Sequence, residues 1–162
     1  MIRTGLGFDA HRFASGRRLV LGGVDIPHPT GLMGHSDADV LVHAIADALL
    51  GAVAAGDIGQ HFPDSDPEWK DADSLILLRQ VAEIVRARRA AILNVDAMVM
   101  AERPRLLRHV PAMRENLAAA IGVPVDCVSV KATTAERMGA IGREEGMAAM
   151  AVATVDQREV EP

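Results

Sequence analysis

Residues 3–13 read as a strand carrying Gly5 and Gly7, positions where backbone or a ligand can approach closely. Residues 18–21 and 24–26 flank Gly22-Gly23, a hairpin signal, and Pro27, Pro29 and Gly31 mark the loop beyond. From Ser36-Asp37 a helical pattern runs to about Ala54, with Leu41, Ile45, Ala48 and Leu49 on one face. Ser36 or Asp37 is its expected N-cap, and Gly56 ends it. Residues 56–73 hold Gly, Pro and five Asp, which predicts a long loop of the kind that often carries function. A second helix is expected over 74–89, where Leu75, Leu78, Ala82 and Val85 share a side. Leu93, Val95, Ala97 and Val99 alternate with Asn94, Asp96 and Met98, which predicts a strand. Pro104 breaks the chain before a third helix over 107–121, stopped by Gly122.

Residues 128–133 and 147–155 complete the strands. In the last one both alternating rows are apolar: Met147, Ala149, Ala151 and Ala153 against Ala148, Met150 and Val152. Such a strand needs cover on both faces. Three helices can cover one side of the sheet, so the other side is expected to meet another subunit.

The chain has 162 residues with no internal repeat, low-complexity tract or linker, and 1–162 is expected to form a single catalytic domain. Its 17 basic and 22 acidic residues leave a net charge of −5, which argues against a general nucleic-acid binder. The lone Cys127 excludes an intramolecular disulfide and a Cys-rich zinc site. Aromatics are limited to Phe8, Phe13, Phe62 and Trp69, so the core must rest on aliphatic residues and Met. Arg3 and Asp9 interrupt the opening segment, no transit peptide is seen, and 147–155 is about half a membrane span. A cytoplasmic protein without membrane or nucleic-acid partners is the expectation.

Asp9 and His11 stand two apart on the first strand and face the same way. With His43 they would form an Asp/His/His set able to hold a divalent metal with positions left open. Asp39 and Asp47, each four residues from His43, are candidates to hold its far ring nitrogen. His35 lies just before a helix N-terminus, where anions are attracted. Asp57, Asp64 and Asp66 could bind hydroxyls or a metal. Lys131-Ala132-Thr133-Thr134-Ala135-Glu136 offers a cation, hydroxyls and amides to a phosphate, although it is not a Walker A loop. Arg143, in a turn over 142–146, suits bidentate phosphate contact. Taken singly, each of these groups fits equally a solvated polar pair, a helix cap or a plain loop.

Their order is more specific. Gly7-Phe8-Asp9-Ala10-His11, Gly34-His35-Ser36-Asp37-Ala38-Asp39-Val40 and His43-Ala44-Ile45-Ala46-Asp47-Ala48-Leu49 together resemble one family. So do Gly56-Asp57-Ile58-Gly59 with Phe62-Pro63-Asp64, Lys131-Ala132-Thr133-Thr134, and Gly142-Arg143-Glu144-Glu145-Gly146. The family is that of the 2-C-methyl-D-erythritol 2,4-cyclodiphosphate synthases of non-mevalonate isoprenoid synthesis, and the resemblance spans essentially the whole chain. It implies an α+β fold: a mixed β-sheet with helices packed on one face, sheets meeting around the axis of a homotrimer, and active sites between subunits. It implies conversion of 4-diphosphocytidyl-2-C-methyl-D-erythritol 2-phosphate to the cyclic diphosphate plus CMP.

By the same resemblance, Asp9, His11 and His43 would hold a zinc-type ion on the terminal phosphate, and Glu136 an Mg2+ or Mn2+ ion between the α and β phosphates. His35 and Thr134 would orient the phosphates as the catalytic pair. Ser36, Asp57, Ile58, Gly59, Phe62, Pro63, Asp64, Ser65 and Asp66 would line the methylerythritol side. Ala101, Glu102, Arg103, Pro104, Arg105, Leu106 and Leu107 would form the cytosine pocket. Thr133, Ala135, Ala140 and Arg143 would complete the binding residues, with Lys131, Arg105 and Arg143 supplying positive charge. Glu102 and Arg103 bring charge where many relatives have none, Arg105 replaces a common Lys, and Ala140 a frequent aromatic. The rival readings are a mononuclear iron oxygenase, whose facial triad also uses two His and a carboxylate, and a trimeric binding module.

Overall fold

Along β1 (Ile2–Ala14), Gly5, Gly7, Asp9 and His11 point to one side while Leu6, Phe8 and Ala10 point to the other. That alternation sets the layering. In the computed structural model, which describes residues 1–63 and 65–158, the glycine side is covered by helices and the Leu6/Phe8 side is not.

The main sheet has the order β4-β1-β7-β5-β6, with β4 (Gly31–Leu32), β7 (Gly146–Gln157), β5 (Ala90–Met100) and β6 (Val128–Thr133). All pairs are antiparallel except β5 with β6, so the sheet is mixed as expected. A bulge in β5 between Ile92 and Asn94 sets Leu93 outside the ladder. β2 (Leu19–Leu21) and β3 (Val24–Ile26) form the expected hairpin around Gly22-Gly23.

Helix α1 (Val40–Ala52) lies directly on β1 and β7. A Cβ on Gly5 would stand 2.0 Å from the Ala48 carbonyl oxygen, and one on Gly7 1.9 Å from that of Ala44. The glycines of the strand and the alanines of the helix therefore let two backbones meet almost in contact. Leu41, Ile45 and Leu49 are fully buried, each contributing about 1.5–3 kcal/mol by its removal from water. The helix α3 (Ser74–Ala87) packs on α1, and α4 (Val110–Ile121) packs on α3 and β6. Gly122 ends α4 in the left-handed region, as its position predicts.

Several boundaries differ from the sequence expectation. α1 starts at Val40, not at Ser36, because Asp39 caps it: its side chain accepts from Val42 N at 3.1 Å and Gly23 N at 2.8 Å. The expected long loop contains a short helix, α2 (Ile58–His61), capped by Asp57, and a 3-10 turn over Pro67–Trp69 capped by Asp66. Its Asp-rich composition thus reflects helix caps as well as solvation. The third helix opens with a 3-10 turn (Leu107–His109) because Pro111 suits the first turn of α4. The turn before β7 contains one more short helix, α5 (Gly139–Gly142). Among the described residues no helix is long and apolar enough to cross a membrane.

Candidate active site

The close contact between α1 and β1 brings His43 over the end of the same strand face that carries Asp9 and His11. Asp9 Oδ2 lies 2.9 Å from His11 Nε2 and 3.0 Å from His43 Nδ1, and the two ring nitrogens are 3.4 Å apart. One donor atom from each residue falls within 4.8 Å of the others. Burial works to raise the Asp9 carboxyl, but hydrogen bonds and charge from His11 and His43 outweigh it and hold it well below the ordinary range. Burial likewise opposes the charged form of His43, and Asp9 reverses that and raises it.

The other nitrogen of His43 is held by serines. Ser74, wholly buried at the start of α3, donates its hydroxyl proton to Asp37 Oδ1 and its backbone N–H to Asp37 Oδ2 at 3.1 Å. With its single proton committed, Ser74 Oγ must accept at 3.0 Å from His43 Nε2–H, which also reaches Ser36 Oγ at 3.2 Å. Nδ1 is thereby left to face Asp9 and His11. A fixed tautomer and three converging N/O donors fit a divalent cation, which would take the place of the proton shared by Asp9 and His43.

This corrects the expectation that Asp39 or Asp47 holds His43. Asp39 is committed to the α1 N-terminus and the hairpin, and burial beside Asp37 pushes it up to about 6. Asp47 accepts from Ile58 N at 2.7 Å, and burial raises it. Ser74 and Asp37 were missed because their partnership spans two helix starts, 37 residues apart.

His11, His35, Ser36, His43, Ile58, Gly59 and Phe62 line one cavity of about 220 Å3, together with Trp69 and Leu77, which sequence reasoning did not single out. Trp69 stands edge-on to Phe62 at 5.1 Å, a contact between two loop aromatics that no periodic pattern announces. His35 Nε2 lies 3.3 Å from the Asp66 carbonyl, and Asp71 N donates to the His35 carbonyl at 2.8 Å, so the 66–72 segment is tied to the His35 loop. The Asp57 carboxylate accepts from Gln60 N and Nε2 at the mouth of α2. Pro63 and Ser65 are exposed, and Asp64 lies outside the described residues.

The remaining candidates gather elsewhere. Glu102, Arg103, Arg105 and Thr134 line a second cavity of about 430 Å3 with Arg137, Gly142 and Glu144. Ala101, which donates to the Thr133 carbonyl at 3.0 Å, and Leu106 are buried beneath the loop; Pro104 is half-buried and Leu107 projects into solvent. Thr134 Oγ1 donates to Glu136 Oε1 at 2.9 Å, and Ala135 N to Glu102 Oε1 at 2.9 Å. Lys131 is not among the cavity cations: it pairs with Asp96 at 2.6 Å on the open sheet face, because its side chain follows the β6 alternation outward. Arg137 lines the cavity instead. Arg143 is paired with Glu145 at 2.7 Å, and Ala140 is exposed on α5. A separate cavity of about 760 Å3 lies at the opposite end of the sheet, beside Arg86, Arg89 and Asp156, and contains none of the candidates.

Residues 2–156 match the YgbB family. The 2-C-methyl-D-erythritol 2,4-cyclodiphosphate synthase of Salinibacter ruber is 60% identical over 154 residues, 95% of this chain and 98% of that one. Among solved structures, a 2C-methyl-D-erythritol-2,4-cyclodiphosphate synthase in its CDP-bound form has a TM-score of 0.87 at 38% identity, covering 95% of this chain and 100% of that one. The CDP complex of IspF from Plasmodium falciparum has a TM-score of 0.85 at 30% identity, covering 98% and 97%. With a family match over nearly its whole length and relatives at this identity, the chain belongs to the YgbB family, that of the 2-C-methyl-D-erythritol 2,4-cyclodiphosphate synthases.

Proposed function

We infer that the active site is assembled from two half-sites on neighbouring copies of the chain in a homotrimer: the Asp9/His11/His43 pocket of one and the Glu102/Thr134 pocket of the next. The enzyme is a cyclodiphosphate synthase, converting 4-diphosphocytidyl-2-C-methyl-D-erythritol 2-phosphate to 2-C-methyl-D-erythritol 2,4-cyclodiphosphate plus CMP. The observation that carries the split-site reading is the separation of His35 and Thr134, which line different cavities of one chain. The open sheet face supports it: Leu6, Phe8, Met150 and Val152 are exposed side by side, Leu6 opposite Val152 and Phe8 opposite Met150.

In the reaction an oxygen of the substrate's own 2-phosphate attacks the β-phosphorus. The bond from that phosphorus to the oxygen bridging to the α-phosphate breaks, and CMP leaves with the bridging oxygen. No protein nucleophile is required, so the side chains have to position two phosphates against their mutual repulsion. A zinc-type ion held by Asp9, His11 and His43, and an Mg2+ or Mn2+ ion held by Glu136, would neutralise phosphate charge when bound. His35, fixed by the 66–72 segment, offers an imidazole to the terminal phosphate. Thr134 offers a hydroxyl, and Arg103, Arg105 and Arg137 line the nucleotide side. Asp57 and the loop around Phe62 would hold the methylerythritol hydroxyls. An iron oxygenase reading fails on the α+β fold and the family.

The test is CMP release from the cytidyl diphosphate substrate with and without a chelator, the second product being identified by phosphorus NMR. Cyclic diphosphate plus CMP, abolished by chelation, is expected. A linear product would mean that the site cleaves without positioning the 2-phosphate, and no CMP from metal-replete trimer would favour the binding-module reading.

A further inference from the structure

Glu102 stands in the segment assigned to the cytosine pocket, and its carboxylate reaches across to the backbone of the phosphate loop. Its Oε1 accepts from the backbone N–H of Ala135 at 2.9 Å and of Arg137 at 3.1 Å. Between these two amides lies Glu136, with φ 50°, followed by Arg137 with φ 62°. Two consecutive side-chain-bearing residues in the left-handed region need something outside the segment to hold them there. The carboxylate of Glu102 is that group: it joins the two amides that flank Glu136 in a charge-assisted pair of hydrogen bonds. Inside the loop, Thr134 Oγ1 bonds the Glu136 carboxylate at 2.9 Å. The hydroxyl and the carboxylate expected to receive the diphosphate and its ion are thus held from the connection that follows the neighbouring parallel strand β5, 33 residues away.

We propose that Glu102 is a positioning residue that latches the Thr134–Glu136 loop in the form that takes the diphosphate and its divalent ion. This rests on the nucleotide site of the preceding section. Converging backbone amides also make an anion site in their own right. The opposite possibility is therefore concrete: a carboxylate that plugs amides meant for a phosphate, whose removal would tighten binding.

Calorimetric titration of the assembled protein with CDP, with and without Mn2+, separates these cases. In wild type, Mn2+ is expected to tighten CDP binding. In Glu102→Leu that gain should fall about tenfold, the scale of one lost charge-assisted hydrogen bond. Metal-free binding of cytidine should fall by much less than the Mn2+ gain does. Glu102→Gln, whose amide oxygen can accept from both N–H groups, should recover most of the gain, and hydrogen exchange of the 133–138 segment should quicken in the Leu variant alone. The proposal is overturned if Glu102→Leu keeps the full Mn2+ gain, binds CDP more tightly, or loses cytidine binding to the same degree. A Gln variant as impaired as Leu would also overturn it. A wild type that binds no CDP at all would instead overturn the nucleotide-site reading itself.

Discussion

Phe8 and Asp9 are adjacent in sequence and lie on opposite faces of β1, and their surroundings differ in kind. Asp9 sits on the face covered by α1, within 3.0 Å of two imidazoles supplied by the same chain. Phe8 is 55% exposed and opposite Met150, on a face that no element among the described residues covers. On the covered face, Gly5, Gly7, Ala44 and Ala48 bring helix and strand close enough to converge Asp9, His11 and His43, a set that could hold a metal ion, within one chain. On the bare face the same alternation leaves an apolar surface incomplete in one copy. The covered face carries chemistry that one chain can preorganise, and in the proposed trimer the bare face would carry the information for assembly.

The sharpest way to break the comparison is to remove the metal cluster and leave the bare face intact. His43→Ala deletes one donor and leaves Ser74 and Ser36 without their ring-nitrogen partner. Turnover is expected to fall about 1,000-fold or more, the scale of losing several kcal/mol of phosphate charge neutralisation. The zinc-type ion, measured by atomic absorption after dialysis, should be lost while the sedimentation coefficient of the assembly stays that of wild type. Wild-type rates in this variant would remove the cluster from the reaction altogether.

The converse change is Phe8→Glu, one residue from Asp9 and on the other face. In the proposed trimer an unpaired carboxylate would be buried against Met150 and neighbouring copies at a cost of several kcal/mol, enough to dissociate the assembly at micromolar protein. The expected product is a monomer that keeps its tightly bound ion and loses turnover by about 100-fold or more, because its two half-sites no longer meet. Analytical ultracentrifugation and metal analysis check both halves. A fully active monomer would contradict the split site.

How much of this was legible in the sequence follows the same division. The covered face announces itself through pattern: Gly5 and Gly7 in a strand, the Leu41/Ile45/Leu49 stripe, and the Asp9/His11 alternation are local periodicities that survive into the fold. The bare face was legible through Met150 and Val152, which make the last strand apolar on both sides. What the sequence does not display is which carboxylate serves which neighbour. Asp39 and Asp47 share the helical face of His43 by spacing, yet each is taken by a backbone N–H that only the tertiary fold supplies. Ser74, Asp37 and the Glu102 latch join segments tens of residues apart, and residues 56–73 hid short helices because their Asp caps resemble loop composition.

The smallest effect sharpens the comparison from the bare side. Asp96 and Lys131 form the ion pair on that face, at 2.6 Å, with side chains 46% and 48% exposed. The hydrogen bond from Lys131 holds the Asp96 carboxyl below its ordinary range. A carboxyl depressed in the folded state stabilises above its unfolded value, near 4, and that stabilisation is lost as pH falls through the lower folded value. Compared with Asp96→Asn, wild-type stability to urea should therefore drop further between pH 5 and pH 3, by less than about 1 kcal/mol because water and salt screen an exposed pair. Superimposable profiles would show that the pair contributes nothing. Asp96 Oδ1 is shielded and has no hydrogen-bond partner among the described residues, a state that a covering subunit with a donor would relieve. Where the proposed assembly covers the pair, the pair would be drier and its attraction stronger. The pH-dependent difference should then be larger in the assembly than in the Phe8→Glu monomer, and equal differences in the two would mean that this part of the face stays open to water.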